Sequence, residues 1–176
     1  LKSLHRETAR TMIYVTHDQT EALTFADQVV VMFDGEVVQV GAPQDLFERP
    51  EHTFVGHFIG SPGMNLLPAQ ISADRARVGS VDVQLPGRAT PQPQQKIELG
   101  VRPEHVKLGT SGYDARLVRV DDVGRYRIAV LEFGGETLKA LVPEGVEIPA
   151  APKVSFEPNG LHLFADSRRM QWEGGA

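Results

Sequence analysis

Hydrophobic and polar residues follow different periods in two parts of this chain. Up to residue 61, continuous apolar runs alternate with apolar residues spaced three or four apart, a mixture of strand and helix signals. Residues 62–165 instead show short stretches of apolar–polar alternation separated by Gly and Pro, which are typical of an all-β unit. The pattern therefore predicts an α+β chain, with a truncated α/β segment at 1–61 and an all-β domain at 62–165.

The first strong signal is the run Met12–Val15, which contains only apolar and aromatic residues and predicts a strand buried on both faces. A helix should follow it, because Ala22, Phe25, Ala26 and Val29 lie at helical spacing. The chain is therefore expected to pass from a buried strand into an amphipathic helix.

A hairpin is predicted next. Val29–Phe33 and Glu36–Val40 are strand-like, and the intervening Asp34 and Gly35 are a strong signal for a two-residue turn. Asp34 and Glu36 superficially resemble the acidic magnesium-binding pair of a nucleotide-hydrolysis site. We favour the hairpin, because Gly35 separates the two carboxylates and a second strand follows at once.

Two short helices are predicted after the hairpin. The first begins at Pro43, where the missing N–H costs nothing, and ends near Arg49, because Pro50 disfavours helix in the residue before it. The second contains the apolar residues of Phe54–Ile59 and is closed by Gly60.

The small, kinked sequence Ser61–Gly63 predicts the boundary to the β domain. The predicted strands are Val81–Leu85, Ile97–Val101, Leu117–Val120, Arg127–Phe133, Thr137–Val142, Val154–Phe156 and Leu161–Phe164. Short strands between Gly and Pro turns predict a small barrel or sandwich. Residues 166–176 are polar apart from Met170 and Trp172, so a loose tail is predicted there.

Composition narrows the classes of function. The chain has 176 residues, 41% of them hydrophobic, and a net charge of -5, which argues against an electrostatic grip on nucleic acid. The absence of cysteine excludes disulfides, a thiolate nucleophile and a Cys-based zinc site. No apolar run approaches the ~20 residues of a membrane span, and no signal peptide is recognisable. Because Leu1–Glu7 resembles the second half of a helix and lacks an initiator Met, we expect a fragment of a longer protein.

His17 is the main candidate for chemistry, because it closely follows the predicted strand Met12–Val15. Open α/β sheets bind their ligands at the carboxyl ends of strands. Asp18 can cap the following helix, with Glu21 three residues later as in a capping box. On spacing alone, a polar loop residue without a functional role explains His17 equally well.

A second polar group, Arg102-Pro103-Glu104-His105, follows the strand predicted at Ile97–Val101. Its side chains are suited to binding an anion or a sugar. They are also suited to a structural turn in which Arg102 contacts Glu104, and we favour this second interpretation.

Several short segments link these features to a known family. Tyr14 to Ala22 reads Tyr-Val-Thr-His-Asp-Gln-x-Glu-Ala. The segments that follow it are Ala26–Val29, Phe33–Gln39, Gly41–Pro43, Leu46–Pro50, Phe54–Pro62, Met64–Asn65 and Gly100–His105. In this order they resemble the ATP-binding subunits of ABC importers, in the carbohydrate-uptake branch of the maltose and glycerol-3-phosphate importers. The resemblance runs from the first residue to about Ala165.

The resemblance implies that an α/β ATPase segment precedes an OB-like regulatory domain of the TOBE type. It implies ATP and Mg as cofactors of the intact subunit, with His17 as the switch histidine at the γ-phosphate and Asp18 as its local orienter. Arg102, Pro103 and Glu104 then help to define the regulatory domain. The implied partners are a second copy of the subunit and transmembrane permease subunits, at the cytoplasmic face of the cell membrane.

The chain also departs from the family's pattern. It has no Gly-Lys dipeptide and hence no phosphate-binding loop, and it has no Leu-Ser-Gly-Gly-Gln signature. We therefore expect no ATP hydrolysis and no bound cofactor for this chain alone. Asp121–Tyr126 differs from the usual family sequence, which leaves a regulatory contact there open. The alternative function is a stand-alone module that binds an oxyanion or a saccharide, or a dimer scaffold without a ligand.

Overall fold

The computed structural model describes residues 11–173, which are mainly β-strands with three short α-helices. We call residues 11–61 the N-terminal segment and residues 62–173 the β region. The helices are α1 (Gln19–Phe25), α2 (Pro43–Glu48) and α3 (Thr53–Phe58). The strands of the N-terminal segment are β1 (Val29–Phe33) and β2 (Glu36–Gly41).

The β region contains thirteen of the strands. They are β3 (Asn65–Pro68), β4 (Gln70–Ser72), β5 (Arg75–Val78), β6 (Val81–Gln84), β7 (Ile97–Val101), β8 (Val106–Gly109), β9 (Tyr113–Asp114), β10 (Arg116–Asp122), β11 (Tyr126–Phe133), β12 (Glu136–Pro143), β13 (Lys153–Phe156), β14 (Leu161–Ala165) and β15 (Arg168–Met170). Two 3-10 turns, Pro103–His105 and Pro158–Gly160, lie before β8 and β14.

Four sheets of the β region contribute to its main apolar core, and a smaller apolar cluster contains Ile97 and Leu163. Their strand orders are β15-β14-β7-β3, β4-β5-β6, β8-β13-β9 and β10-β11-β12. Leu99, Leu131, Phe133, Leu138 and Val154 are fully buried in that core. These side chains come from β7, β11, β12 and β13, so the core depends on contacts that are distant along the chain.

The predicted hairpin and the helix that begins at Pro43 are confirmed. β1 and β2 form an antiparallel hairpin whose turn residues, Asp34 and Gly35, have φ of 51° and 80°. Positive φ at both central residues is what a twisted two-residue hairpin requires. Pro43 is the first residue of α2, and that helix gives way at Arg49 as predicted.

The strand predicted at Met12–Val15 is not formed. These residues have no regular secondary structure, and Ile13 and Val15 are 91% and 90% exposed. A buried strand needs neighbouring strands for its backbone hydrogen bonds. Among the described residues, β1 and β2 pair only with each other, so they offer this run no partner.

The loose tail predicted from residue 166 is also wrong as far as residue 173. β15 pairs with β14 through Leu163–Met170 and two further residue pairs. Trp172 packs against the apolar core, and Glu173 donates its N–H to the carbonyl of Arg88 at 2.7 Å. Met170 and Trp172 were the apolar residues of the predicted tail, and both are partly buried.

The N-terminal segment packs against the β15-β14-β7-β3 sheet. Its backbone joins the β14–β15 hairpin, since the N–H of Thr53 donates to Ser167 O at 2.8 Å and that of Arg169 to Glu51 O at 2.9 Å. Gly100 of β7 has no room for a side chain, because a Cβ there would lie 2.6 Å from the ring of Phe164. β7, although predicted to alternate, is buried on both faces: Leu99 and Val101 lie in the apolar core, while the ring of Phe164 from the neighbouring strand β14 covers Gly100.

Candidate functional site

His17 lies on the surface directly before the first helix. The preceding residues are exposed, and no side-chain hydrogen bond of the described residues involves His17. Asp18 caps α1 as predicted: its Oδ1 accepts from Thr20 N at 2.7 Å and from Glu21 N at 3.2 Å. The imidazole is therefore held next to an anchored helix start and is open to a partner group.

Glu21 does not complete the predicted capping box. Its Oε2 accepts hydrogen bonds from the hydroxyls of Tyr14 and Thr16, both at 3.0 Å. The hydrogen bond and the charge of Glu21 raise the pKa of the Tyr14 phenol. Glu21 thus holds the chain on the N-terminal side of His17, while Asp18 holds the helix on the other side.

Arg102 is a structural residue in this fold. It is 1% exposed, and its guanidinium donates through Nε to Phe47 O and through Nη1 to Ile59 O, each at 2.7 Å. The same guanidinium lies 3.8 Å from the centre of the Phe47 ring. Burial lowers the Arg102 pKa to about 10, while the nearby charge of Glu104 opposes that change.

These contacts place a cation from the β region at the ends of two helices of the N-terminal segment. Phe47 is in the last turn of α2, and Ile59 directly follows α3. The last carbonyls of a helix have no partner within the helix and carry partial negative charge. Arg102 therefore connects the two parts of the chain and stabilises both helix ends.

The contact between Arg102 and Glu104 proposed from the sequence is not formed as an ion pair. Glu104 Oε2 is buried without a hydrogen-bond partner among the described residues, as is Arg102 Nη2. Pro103 is buried and begins the 3-10 turn. Because its donors face backbone carbonyls inside the protein, Arg102 is not presented to an external anion or sugar.

Two further residues were not identified from the sequence. His162 of β14 is 6% exposed, its Nδ1 has no partner among the described residues, and burial lowers its pKa to about 4. Gln19, the first residue of α1, accepts a hydrogen bond from Gly60 N at 2.8 Å. Neither has a signal in the sequence, because each role depends on residues at least 40 positions away or on burial.

The described residues do not form a complete nucleotide or metal site. No group of three His, Asp or Glu side chains in residues 11–173 is arranged to hold a metal ion. Of the groups implied for an ATP site, the sequence contains the switch histidine, His17, but neither the phosphate-binding loop nor the signature. None of the described helices could cross a membrane, since the longest α-helix has 7 residues.

Comparison with known proteins gives a consistent result. The family described as the MalK OB fold domain matches residues 60–106. An uncharacterised ABC transporter ATP-binding protein, y4oS of Sinorhizobium fredii, is 37% identical over 170 positions, which cover 93% of this chain and 46% of that protein.

Several relatives are named for a solute, and two of them follow. The sn-glycerol-3-phosphate import ATP-binding protein UgpC of Chromobacterium violaceum is 36% identical over 178 positions, covering 96% of this chain and 48% of the relative. UgpC 2 of Agrobacterium fabrum is 36% identical over 185 positions, covering 100% and 50%. The chain spans about half the length of the curated relatives it matches.

Proposed function

We propose that this chain belongs to the carbohydrate-importer family of ABC ATP-binding proteins and forms the C-terminal part of an importer's ATP-binding subunit. The solute is a sugar or a related polyol or phosphate compound. Residues 1–61 are the end of the ATPase domain, and residues from 62 onward form its OB-like regulatory domain.

The observation that carries this proposal is the exposed apolar surface of the N-terminal segment. Beside the exposed run Met12–Val15, one face of the β1–β2 hairpin presents Val30, Met32, Val37 and Val40, each about half exposed. Contiguous apolar surface of this kind marks a site that another protein surface covers. In the proposed subunit, the remainder of the ATPase sheet covers it and pairs with residues 12–15.

His17 is the residue of this chain that acts in ATP hydrolysis. ATP with Mg supplies the phosphoryl group whose transfer to water drives transport. With ATP bound, His17 would hold the γ-phosphate through its imidazole and orient the attacking water, while Asp18 fixes the backbone beside it. The other phosphate-binding groups belong to other parts of the subunit, so the isolated chain does not hydrolyse ATP.

The intact subunit works as a homodimer bound to transmembrane permease subunits, at the cytoplasmic face of the membrane. The β region contributes to dimerisation and regulation. The exposed Val118 and Val120 of the edge strand β10 support a role for this region in association, since edge strands tend to need cover. The alternative function, an anion- or sugar-binding module, is less well supported. The guanidinium of Arg102, its main candidate for binding such a ligand, is buried.

A chimera tests the proposal. This chain replaces the matching half of Chromobacterium violaceum UgpC, and ATP hydrolysis and nucleotide binding are measured on the purified protein. We expect His17→Ala to reduce kcat at least a hundredfold while nucleotide affinity changes less than threefold, because the residue acts on the transferred group. His57→Ala, at an exposed position on α3, is the matched control. Normal turnover of the His17→Ala chimera would show that His17 is only a loop residue.

A further inference from the structure

One peptide group connects the start of α1, which lies next to His17, to the β region. The carbonyl of Ile59 accepts from Arg102 Nη1 at 2.7 Å, and the N–H of Gly60 donates to Gln19 Oε1 at 2.8 Å. Ile59 O and Gly60 N belong to the same peptide bond. The two hydrogen bonds therefore hold opposite ends of a single rigid, planar unit.

Gly60 is required at this point for two reasons. Its φ of +111° is a backbone conformation that residues with a side chain rarely adopt. A Cβ would also lie 2.8 Å from Arg102 Nη1 and 3.2 Å from the ring of Phe47. Because Gly60 has no side chain, the guanidinium of Arg102 has space beside this peptide.

The connection continues to His17 over a short distance. Gln19 is the first residue of α1 and lies two positions after His17, a span of at most about 7 Å of extended chain. Asp18 between them fixes the helix start through its two capping hydrogen bonds. On the other side, Arg102 directly follows β7, the strand paired with both β3 and β14.

We propose that Gln19 and Arg102 are positioning residues that transmit the placement of the β region to His17 through the Ile59–Gly60 peptide. Hydrogen bonds on both ends of one peptide group reinforce each other, because each polarises the group toward the other. A displacement of β7 moves the guanidinium, the peptide and then the start of α1. This inference rests on the proposed function and adds a route by which the regulatory domain controls hydrolysis.

The first test uses the 176-residue chain without nucleotide. Backbone amide NMR shifts of residues 16–21 are compared for Arg102→Met in the wild-type, Gln19→Met and Gln19→Glu backgrounds. Met removes the acceptor at a similar length, whereas Glu keeps an oxygen that can accept from Gly60 N. Gln44→Met is the matched control, because among residues 11–173 the side chain of Gln44 bonds only Glu48, on the exposed side of α2.

We expect Arg102→Met to shift the His17 and Asp18 amides in the wild-type and Gln19→Glu backgrounds but not in the Gln19→Met background. Gln19→Met alone should make the Gly60 amide exchange about tenfold faster, as expected for the loss of one hydrogen bond. The proposed route through Gln19 would be refuted if Arg102→Met shifted the His17 and Asp18 amides equally in the Gln19→Met background. It would also be refuted if Arg102→Met did not shift them in the wild-type background. If Arg102→Met does not fold, Arg102→Lys replaces it, because Lys can keep a single carbonyl contact.

The chimera then separates this inference from the proposed function. Gln19→Met should lower kcat about tenfold with KM nearly unchanged, and Gln19→Glu should restore it. If His17→Ala abolishes hydrolysis but Gln19→Met does not affect it, the route is wrong and the function stands. If His17→Ala has no effect while the NMR coupling is present, the coupling stands and the assignment of His17 is wrong.

Discussion

Protonation of His162 should destabilise the fold as the pH falls below neutrality. His162 is buried in β14, and burial, followed by the charges of Arg169, Arg102 and His105, lowers its pKa from 6.5 to about 4. The unfolded chain has no such burial and binds the proton near pH 6.5. Stability from the neutral imidazole is therefore present above pH 6.5 and lost as the pH falls towards 4.

The size of this effect follows from the two pKa values. Between 6.5 and about 4, each pKa unit corresponds to about 1.4 kcal/mol, which gives about 3 kcal/mol for the complete effect. At pH 5 the unfolded state is almost fully protonated and the folded state is not, so about 2 kcal/mol of this is already lost. For a small domain this is a substantial fraction of the total stability.

The assay is urea unfolding of the 176-residue chain followed by circular dichroism at pH 7, 6 and 5. His162→Leu has no group to titrate at this position, so its free energy of unfolding should fall by about 2 kcal/mol less than that of the wild type over this range. The difference between the two proteins removes the contributions of other groups, such as His52, whose pKa burial also lowers. His57→Leu, at an exposed position, is the control. Parallel pH dependences of wild type and His162→Leu would refute the reasoning.

Two further predictions concern local geometry. Gly100→Ala should lower the free energy of unfolding by about 1–3 kcal/mol, because the new Cβ overlaps the Phe164 ring. Thermal unfolding checks it against Gly109→Ala, where no atom lies within 4 Å of the added Cβ, and equal melting temperatures would contradict it. Asp18→Ala should make the α1 amides exchange about fivefold faster, since a lost N-cap costs about 1 kcal/mol. Hydrogen exchange measures this, and unchanged rates would show that the cap is unimportant.

The sequence by itself determined the elements that depend on near neighbours. The Asp34–Gly35 turn, the start of α2 at Pro43 and the cap at Asp18 are set by the conformations that those residues allow. The family resemblance was also available from short segments in a fixed order. These features need no distant contact, so they can be recognised without a structure.

Only the tertiary structure determined the conformation of segments that need a neighbouring strand. The apolar run Met12–Val15 predicts a strand, but a strand forms only where another strand can pair with it, and none of the described strands does so. The outcome for β15 is the opposite. A loose tail was predicted there, but the segment forms a strand because the edge of β14 is available for pairing. Strand formation is a property of the pair, which single-sequence patterns do not contain.

The role of Arg102 shows the same limit for a single side chain. Its sequence neighbours indicate a charged turn, with Glu104 as the natural partner. In the fold, its partners are the carbonyls of Phe47 and Ile59, which lie 55 and 43 residues away. Backbone carbonyls are the same for every residue type, so the sequence does not indicate which of them a buried guanidinium will contact. The partners are determined by the packing of two helix ends near the end of β7.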